Sequence, residues 1–228
     1  MRYKAILTDA DDTLLDFQSA EKNAIRALLS RFGVSSPDAP EEYRRINAGC
    51  WSDYENGLLT LDALRVVRFE RFTERFAPFI DARRLADAYD EILIDSSRAL
   101  PGAAEAVQQI SAKLPIAVVT NGTGDMQRRR LERAGLMPYF ACVVVSEEIG
   151  SRKPEPDMLL YALKLLNVSS PSDALMMGDS PTSDMPAAKR AGMDFLWFNP
   201  SGRKRPDDAT IAYEARGISE LIPLATQD

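Results

Sequence analysis

The 228-residue chain carries 28 Lys and Arg against 34 Asp and Glu, a net charge of −6, and is 45% hydrophobic and 27% charged. That supports a substantial buried core in one large or two smaller domains. The acidic balance argues against nonspecific nucleic-acid or anionic-membrane binding, which need a basic surface. The absence of histidine removes Ser-His and Cys-His hydrolases and His-ligated zinc sites.

The chain enters strand-like sequence at once, over residues 3–8, with no signal peptide in view and no apolar run of membrane-spanning length. A soluble, cytoplasmic setting is the expectation. Cys142, inside the run Cys142-Val143-Val144-Val145, is expected as a buried free thiol. Directly behind the first strand, Asp9, Asp11 and Asp12 fall within four residues. Like charges so close repel, and each loses hydration beside a buried strand. The stretch is therefore a solvated turn or a place where something positive belongs.

Residues 17–98 contain no convincing strand. Helices are predicted over 17–32, 41–56, 61–76 and 81–97, punctuated by Gly33, Pro37, Pro40, Gly57 and Pro78. Beyond Pro101 the pattern changes. Strands over 116–120, 142–146, 174–178 and 195–198 alternate with helices over 102–113, 125–134, 155–166 and 182–191; Gly135 and Gly192 close the second and fourth of those helices. Alternation of this kind predicts an α/β architecture: a Rossmann-like parallel sheet built from residues 1–16 and 99–228, covered on both faces, with the helical segment 17–98 inserted after the first strand. Functional residues in such sheets gather at the carboxyl ends of the strands.

Four strand ends carry chemistry. The first is followed by the acidic stretch, the second ends Thr120-Asn121-Gly122, the third leads to Lys153-Pro154, and the fourth ends Gly178-Asp179 with Asp184 shortly after. Each alone is ordinary turn chemistry. Their order and their strand-terminal placement together are specific.

This ordered set resembles the haloacid dehalogenase superfamily, with Asp9-Ala10-Asp11-Asp12-Thr13, Thr120, Lys153 and Gly178-Asp179 through Asp184 as its four motifs. The long interval from Asp9 to Thr120 falls where type-1 (C1) caps are inserted. More finely, Thr8 to Phe17, the phrase Trp51 to Gly57, Val118 to Gly122 and Ser146 to Gly150 are similar to the pyrimidine 5′-nucleotidase branch. The resemblance implies a phosphomonoester hydrolase in which Asp9 attacks phosphorus and Asp11 moves the proton. It implies Mg²⁺ held by Asp9, the backbone carbonyl of Asp11 and Asp179, with Asp184 in support. Thr120, the Asn121 amide and Lys153 would face the phosphoryl oxygens. Asp12 is left with turn or helix-cap duty.

Dehalogenases proper usually lack a carboxylate at the position of Asp11, and phosphonatases use a cap lysine, whereas Lys22 is the only lysine between Phe17 and Arg98. Phosphomutases keep the same four stations. From another class, a receiver-like module also joins acidic residues, Thr and Lys around a parallel sheet, but the helical insert and the distant Gly178-Asp179 pair disfavour it. The implied partner is a small phosphorylated metabolite, a nucleoside 5′-monophosphate by the finer resemblance. Trp51 and Tyr54 would stack on the base and Asn56 bond its edge; the plainer expectation for these three is cap core and a helix end. Arg65, Arg68 and Arg75, and the triplet Arg128-Arg129-Arg130, are expected on solvated, salt-bridged helix faces.

Overall fold

A computed structural model describes residues 2–226. The chain divides into two compact units, one formed by residues 1–16 and 98–228 and the other by residues 17–97. Along the chain run β1 (Ala5–Thr8), α1 (Phe17–Arg31), α2 (Ala39–Glu55), α3 (Leu61–Phe76), α4 (Ala82–Ser96), α5 (Ala103–Ser111), β2 (Ile116–Thr120) and α6 (Gly124–Arg133). Then follow β3 (Cys142–Val145), α7 (Ser146–Ile149), α8 (Asp157–Leu165), β4 (Ala174–Gly178), α9 (Asp184–Ala191), β5 (Asp194–Phe198), β6 (Ile211–Ala215) and α10 (Ile218–Thr226).

The six strands form one sheet in the order β3-β2-β1-β4-β5-β6, every pair parallel. β1, β2 and β4 are buried at every position, which explains their unbroken apolar runs: both faces must be covered. Alternate residues serve the two faces. Ile6, Val118, Leu175, Met177 and Leu196 pack with Val107 and Ile110 of α5, Leu131 of α6 and Leu221 of α10. Ala5, Leu7, Val119, Met176, Phe195 and Trp197 pack with Met158 and Leu163 of α8 and Ala187 and Ala188 of α9. The strand order reverses between β1 and β4, and a crevice opens at such a point beyond the carboxyl ends.

The sixth strand and α10 were not predicted. Residues 211–215 show buried ends around a half-buried middle, because an edge strand pairs on one side only, and the sequence pattern there is too mixed to read as a buried run. Cys142 also departs from expectation: it is half-buried, while Cys50 is the buried thiol. No described helix is long and apolar enough to cross a membrane.

The helical unit is built from α1 to α4. Thr60 caps α3, its hydroxyl accepting from the Ala63 amide at 3.2 Å, and Asp81 caps α4 by accepting from Arg84 N at 3.0 Å. Tyr43, Phe69, Phe72 and Tyr89 form its centre, with Tyr43 5.2 Å from Phe69 and 5.4 Å from Tyr89 between ring centroids. Arg68, expected in solvent, is instead 4% exposed. It lies over the Tyr89 ring at 4.8 Å and donates to Asn47 Oδ1 at 3.2 Å and Asp90 Oδ1 at 3.3 Å, while Asn47 donates to Glu21 Oε1 at 2.6 Å. Its partners sit on other helices, so neighbours in its own helix do not reveal its burial. Arg65, half-buried, bonds Asp87 and Asp90, and Arg75 is exposed.

Candidate active site

All four predicted stations converge within the sheet-containing unit. Asp9 leaves β1 with its amide bonded to Met177 O of β4 at 2.9 Å, so it stands at the point where the strand order reverses. The chain then turns tightly: Leu14 N and Leu15 N both bond Ala10 O, and Asp12 N bonds Leu15 O at 2.9 Å. Asp12 holds a left-handed conformation with φ 54°, which Asp tolerates better than most residues. Its role in this turn is backbone geometry.

Lys153 is 1% exposed, and its ammonium donates to Asp9 Oδ1 at 2.6 Å, Asp184 Oδ1 at 2.7 Å and Val119 O at 2.8 Å. An ammonium has three protons, and all three are used. Lys153 therefore holds Asp9 and has no N–H to spare for a further acceptor. Burial would depress the lysine, but Asp184 and Asp9 outweigh it and raise its pKa, so it stays protonated. Burial pushes Asp9 well above the usual carboxylate range, with Asp184 and Asp11 adding to the effect and Lys153 opposing it.

Asn121 does more than its backbone amide was expected to do. Its side chain accepts from Lys153 N and donates to Lys153 O, both at 3.0 Å, a reciprocal pair that ties the third station to the second. Asp184, 1% exposed, accepts from Lys153 through one oxygen and from Ser180 N at 3.0 Å through the other. A Cβ at Gly178 would collide with the Asp184 carboxylate, so the Gly-Asp step after β4 is a steric requirement for bringing Asp184 in.

Carboxylate oxygens of Asp9, Asp179 and Asp184 lie within 4.8 Å of one another. Asp179 is pushed up to about 7, first by burial and then by Asp184 and Asp12, with Arg203 and Lys153 pulling it down. Asp9, Asp11, Asp12, Asp179 and Asp184 meet Lys153, Arg130 and Arg203, leaving negative charge in excess. Hard oxygen donors, a buried setting and uncompensated charge together fit a small divalent cation such as Mg²⁺.

Three side chains of this site escaped the sequence. Arg130, expected on a solvated face, is 1% exposed and bonds Asp11 Oδ2 at 3.0 Å and Oδ1 at 2.5 Å. Its neighbours Arg128 and Arg129 are half-buried and paired with Glu148 and Asp125. Gln127, 2% exposed, bonds Thr120 Oγ1 at 3.0 Å. Arg203 reaches Asp179 O at 2.5 Å and stands 5.5 Å from the Trp197 ring centre, while Trp197 Nε1 donates to the same carbonyl at 2.9 Å. Only the three-residue spacing of Gln127 and Arg130 on one helix face hinted at joint work.

The remaining candidates belong to the helical unit. Trp51 is half-buried and meets the buried Tyr54 edge-on, 5.7 Å between centroids. Asn56 folds back on its own helix, donating to Ser52 O at 2.9 Å.

The chain is similar over nearly its whole length to proteins of known family. A pyrimidine 5′-nucleotidase of Escherichia coli K12 is 31% identical over 98% of both chains, and one of Streptococcus pneumoniae is 33% identical over 97% of this chain and 94% of its own. The crystal structure of the HAD-hydrolase YfnB from Bacillus subtilis, bound to magnesium, superposes with a TM-score of 0.89 at 31% identity, covering 99% of this chain and all of the other. The profile of the haloacid dehalogenase-like hydrolases matches residues 3–192, and the chain belongs to that family.

Proposed function

We propose that the protein is a Mg²⁺-dependent phosphomonoester hydrolase that works through an aspartyl phosphate on Asp9, with a pyrimidine nucleoside 5′-monophosphate as substrate. The observation that carries the reading is the second carboxylate. Asp11 is held at the site by the buried Arg130, and a hydrolysis that splits an ester and then a mixed anhydride needs a group to move a proton in each half. The names of the Escherichia coli and Streptococcus pneumoniae relatives support the nucleotide.

Lys153 occupies Asp9 Oδ1, which leaves Oδ2 to attack phosphorus in line with the departing oxygen. Asp11 gives that oxygen a proton as the P–O bond breaks. It then takes a proton from the water that attacks phosphorus, returning Asp9 as a carboxylate and releasing phosphate. Thr120 Oγ1 and Asn121 N are donors for the phosphoryl oxygens, and the Lys153 charge offsets the charge spread over them. Asp9, Asp179 and the Asp11 carbonyl, with Asp184 behind, would hold Mg²⁺, which would supply further positive charge to those oxygens.

The test is a screen of nucleoside monophosphates, sugar phosphates and p-nitrophenyl phosphate, with Mg²⁺ and with excess EDTA. Pyrimidine nucleotides should lead, and chelation should abolish turnover. Trp51→Leu should lower kcat/KM for the nucleotide by about 1 kcal/mol, the low end of base–aromatic stacking, and spare the nitrophenyl ester. A sugar phosphate ahead of every nucleotide would overturn the substrate; full activity in EDTA would overturn the metal.

A further inference from the structure

Helix α6 brings two side chains to the site, and the direction of each of their hydrogen bonds follows by elimination. A guanidinium can only donate. Arg130 gives Nη1 to Asp11 Oδ2 at 3.0 Å and Nη2 to Oδ1 at 2.5 Å, a two-point grip that sets the plane of the carboxylate as well as its position. Nη1 also reaches the Gln127 side-chain oxygen at 2.8 Å, so the Gln127 amide nitrogen must face the other way. There its two N–H groups are shared among three acceptors, Thr120 Oγ1 at 3.0 Å, Asn121 O at 3.1 Å and Asp11 Oδ2 at 3.3 Å, the last the most distant.

This arrangement reaches the phosphate-binding end of the site. Thr120 Oγ1 accepts from Gln127, so its own proton is turned away from that helix. The protein acceptor it meets, Asn121 O, is 3.4 Å distant, long for a hydroxyl bond. A phosphoryl oxygen would be the better acceptor.

We propose that Arg130 and Gln127 are positioning residues: Arg130 fixes the Asp11 carboxylate for proton transfer and, through Gln127, makes the Thr120 hydroxyl a donor to the phosphoryl group. The proposal rests on the reading of Asp11 as the acid and base. One helix thereby aligns the proton-moving group and a phosphate-binding group with respect to each other, although they leave different strands. Arg130 and Gln127 act through Asp11 and Thr120 and not on the substrate.

The test is a double-mutant cycle on the full-length protein with Mg²⁺, using p-nitrophenyl phosphate, whose leaving group departs without a proton and keeps weak variants measurable. Arg130→Gln should lower kcat on the order of 10²-fold, the cost of a misplaced catalytic group, and change KM much less. Arg130→Lys, which keeps the charge and loses the fork, should recover part of it. In an Asp11→Asn background the further loss from Arg130→Gln should fall to less than about 10-fold, since the carboxylate it positions is gone and only the part carried through Gln127 and Thr120 remains. Equal losses in both backgrounds, or an unchanged kcat in the single variant, would overturn the positioning role alone. Wild-type turnover by Asp11→Asn would overturn the acid–base reading and the positioning role with it. If Arg130→Gln lacks native circular dichroism, Gln127→Leu takes its place: it should lower kcat/KM through Thr120 in both backgrounds, and an unchanged kcat/KM would overturn the positioning role.

Discussion

The two units both bury arginine, and they use it differently. In the helical unit Arg68 lies among aromatic rings and meets Asn47 and Asp90, with Glu21 bonded to Asn47 and Arg65 bonded to Asp90. Charges of both signs are matched there. In the sheet-containing unit Arg130 grips Asp11, yet Asp9, Asp179 and Asp184 remain crowded together around one lysine. One unit matches its charges internally, and the other keeps negative charge in excess. A buried polar network that is fully satisfied specifies a fold, whereas one left in charge imbalance specifies a site.

The sharpest way to break this contrast is to remove charge from each side. Asp9→Asn should lower kcat by at least on the order of 10³-fold, as loss of a covalent nucleophile does elsewhere. The fold should survive, because Lys153 keeps its bonds to Asp184 and Val119 O. The melting temperature should hold or rise, since one like charge leaves a crowded acidic cluster. Steady-state kinetics and calorimetry on the same sample check both statements. A variant that keeps a tenth or more of the wild-type kcat, on the order of 1.4 kcal/mol of barrier, would mean the nucleophile lies elsewhere.

Arg68→Met should do the opposite. It leaves Asp90 to Arg65 and takes the Arg68 donor from the Asn47 side-chain oxygen, and removing one partner of a buried pair costs about 3 kcal/mol. Turnover of p-nitrophenyl phosphate, measured well below the melting temperature, should change by less than about 3-fold, as expected where the two networks share no partner. Denaturant melts and kinetics separate the two effects. If stability were unchanged, the helical unit's network would not be the structural element described above.

These two arginines also mark the limit of what the sequence made legible. The buried strands could be read because both faces of a central parallel strand must be apolar, and the stations could be read because each follows a strand end. The burial of Arg130 could not, because its partner lies 119 residues away and its own helix surrounds it with charged neighbours. Arg68 is the same case at a separation of 22 residues. Strand β6 was hidden by its place at the sheet edge, where Ala212, Tyr213 and Glu214 are only half-buried. Arg203 follows a strand end as the stations do, yet it reaches Asp179 only because Asn199 folds the intervening loop, bonding Arg203 N at 2.9 Å and Arg203 O at 2.8 Å. Local pattern reveals elements and strand ends; it does not reveal which surface charge another element will cover.

The smallest expected effect tests the imbalance itself. Asp179 sits at about 7 in the folded protein, against an ordinary value of 3.8. The folded chain therefore takes up this proton more readily than the unfolded chain. Below both values the group is neutral in both states and costs nothing; above both it is ionised in both and the folded state bears the full cost. On account of Asp179, the metal-free protein should lose stability as pH rises from about 4 to about 7 and level off beyond. A cation reverses the sign of that cost, because it binds the ionised carboxylate and must displace the proton at lower pH. The rise in melting temperature on adding Mg²⁺ should accordingly be larger at pH 8 than at pH 6, and Asp179→Asn should reduce it at both. Arg68→Met, whose defect lies in the other unit, should melt lower throughout and still show the same Mg²⁺-dependent increment as the wild type. Equal increments at pH 6 and pH 8 would mean that Asp179 is already ionised without the metal, its charge held by Arg203 and Lys153, and the open electrostatics of this unit would then reside in Asp9 and Asp184 alone.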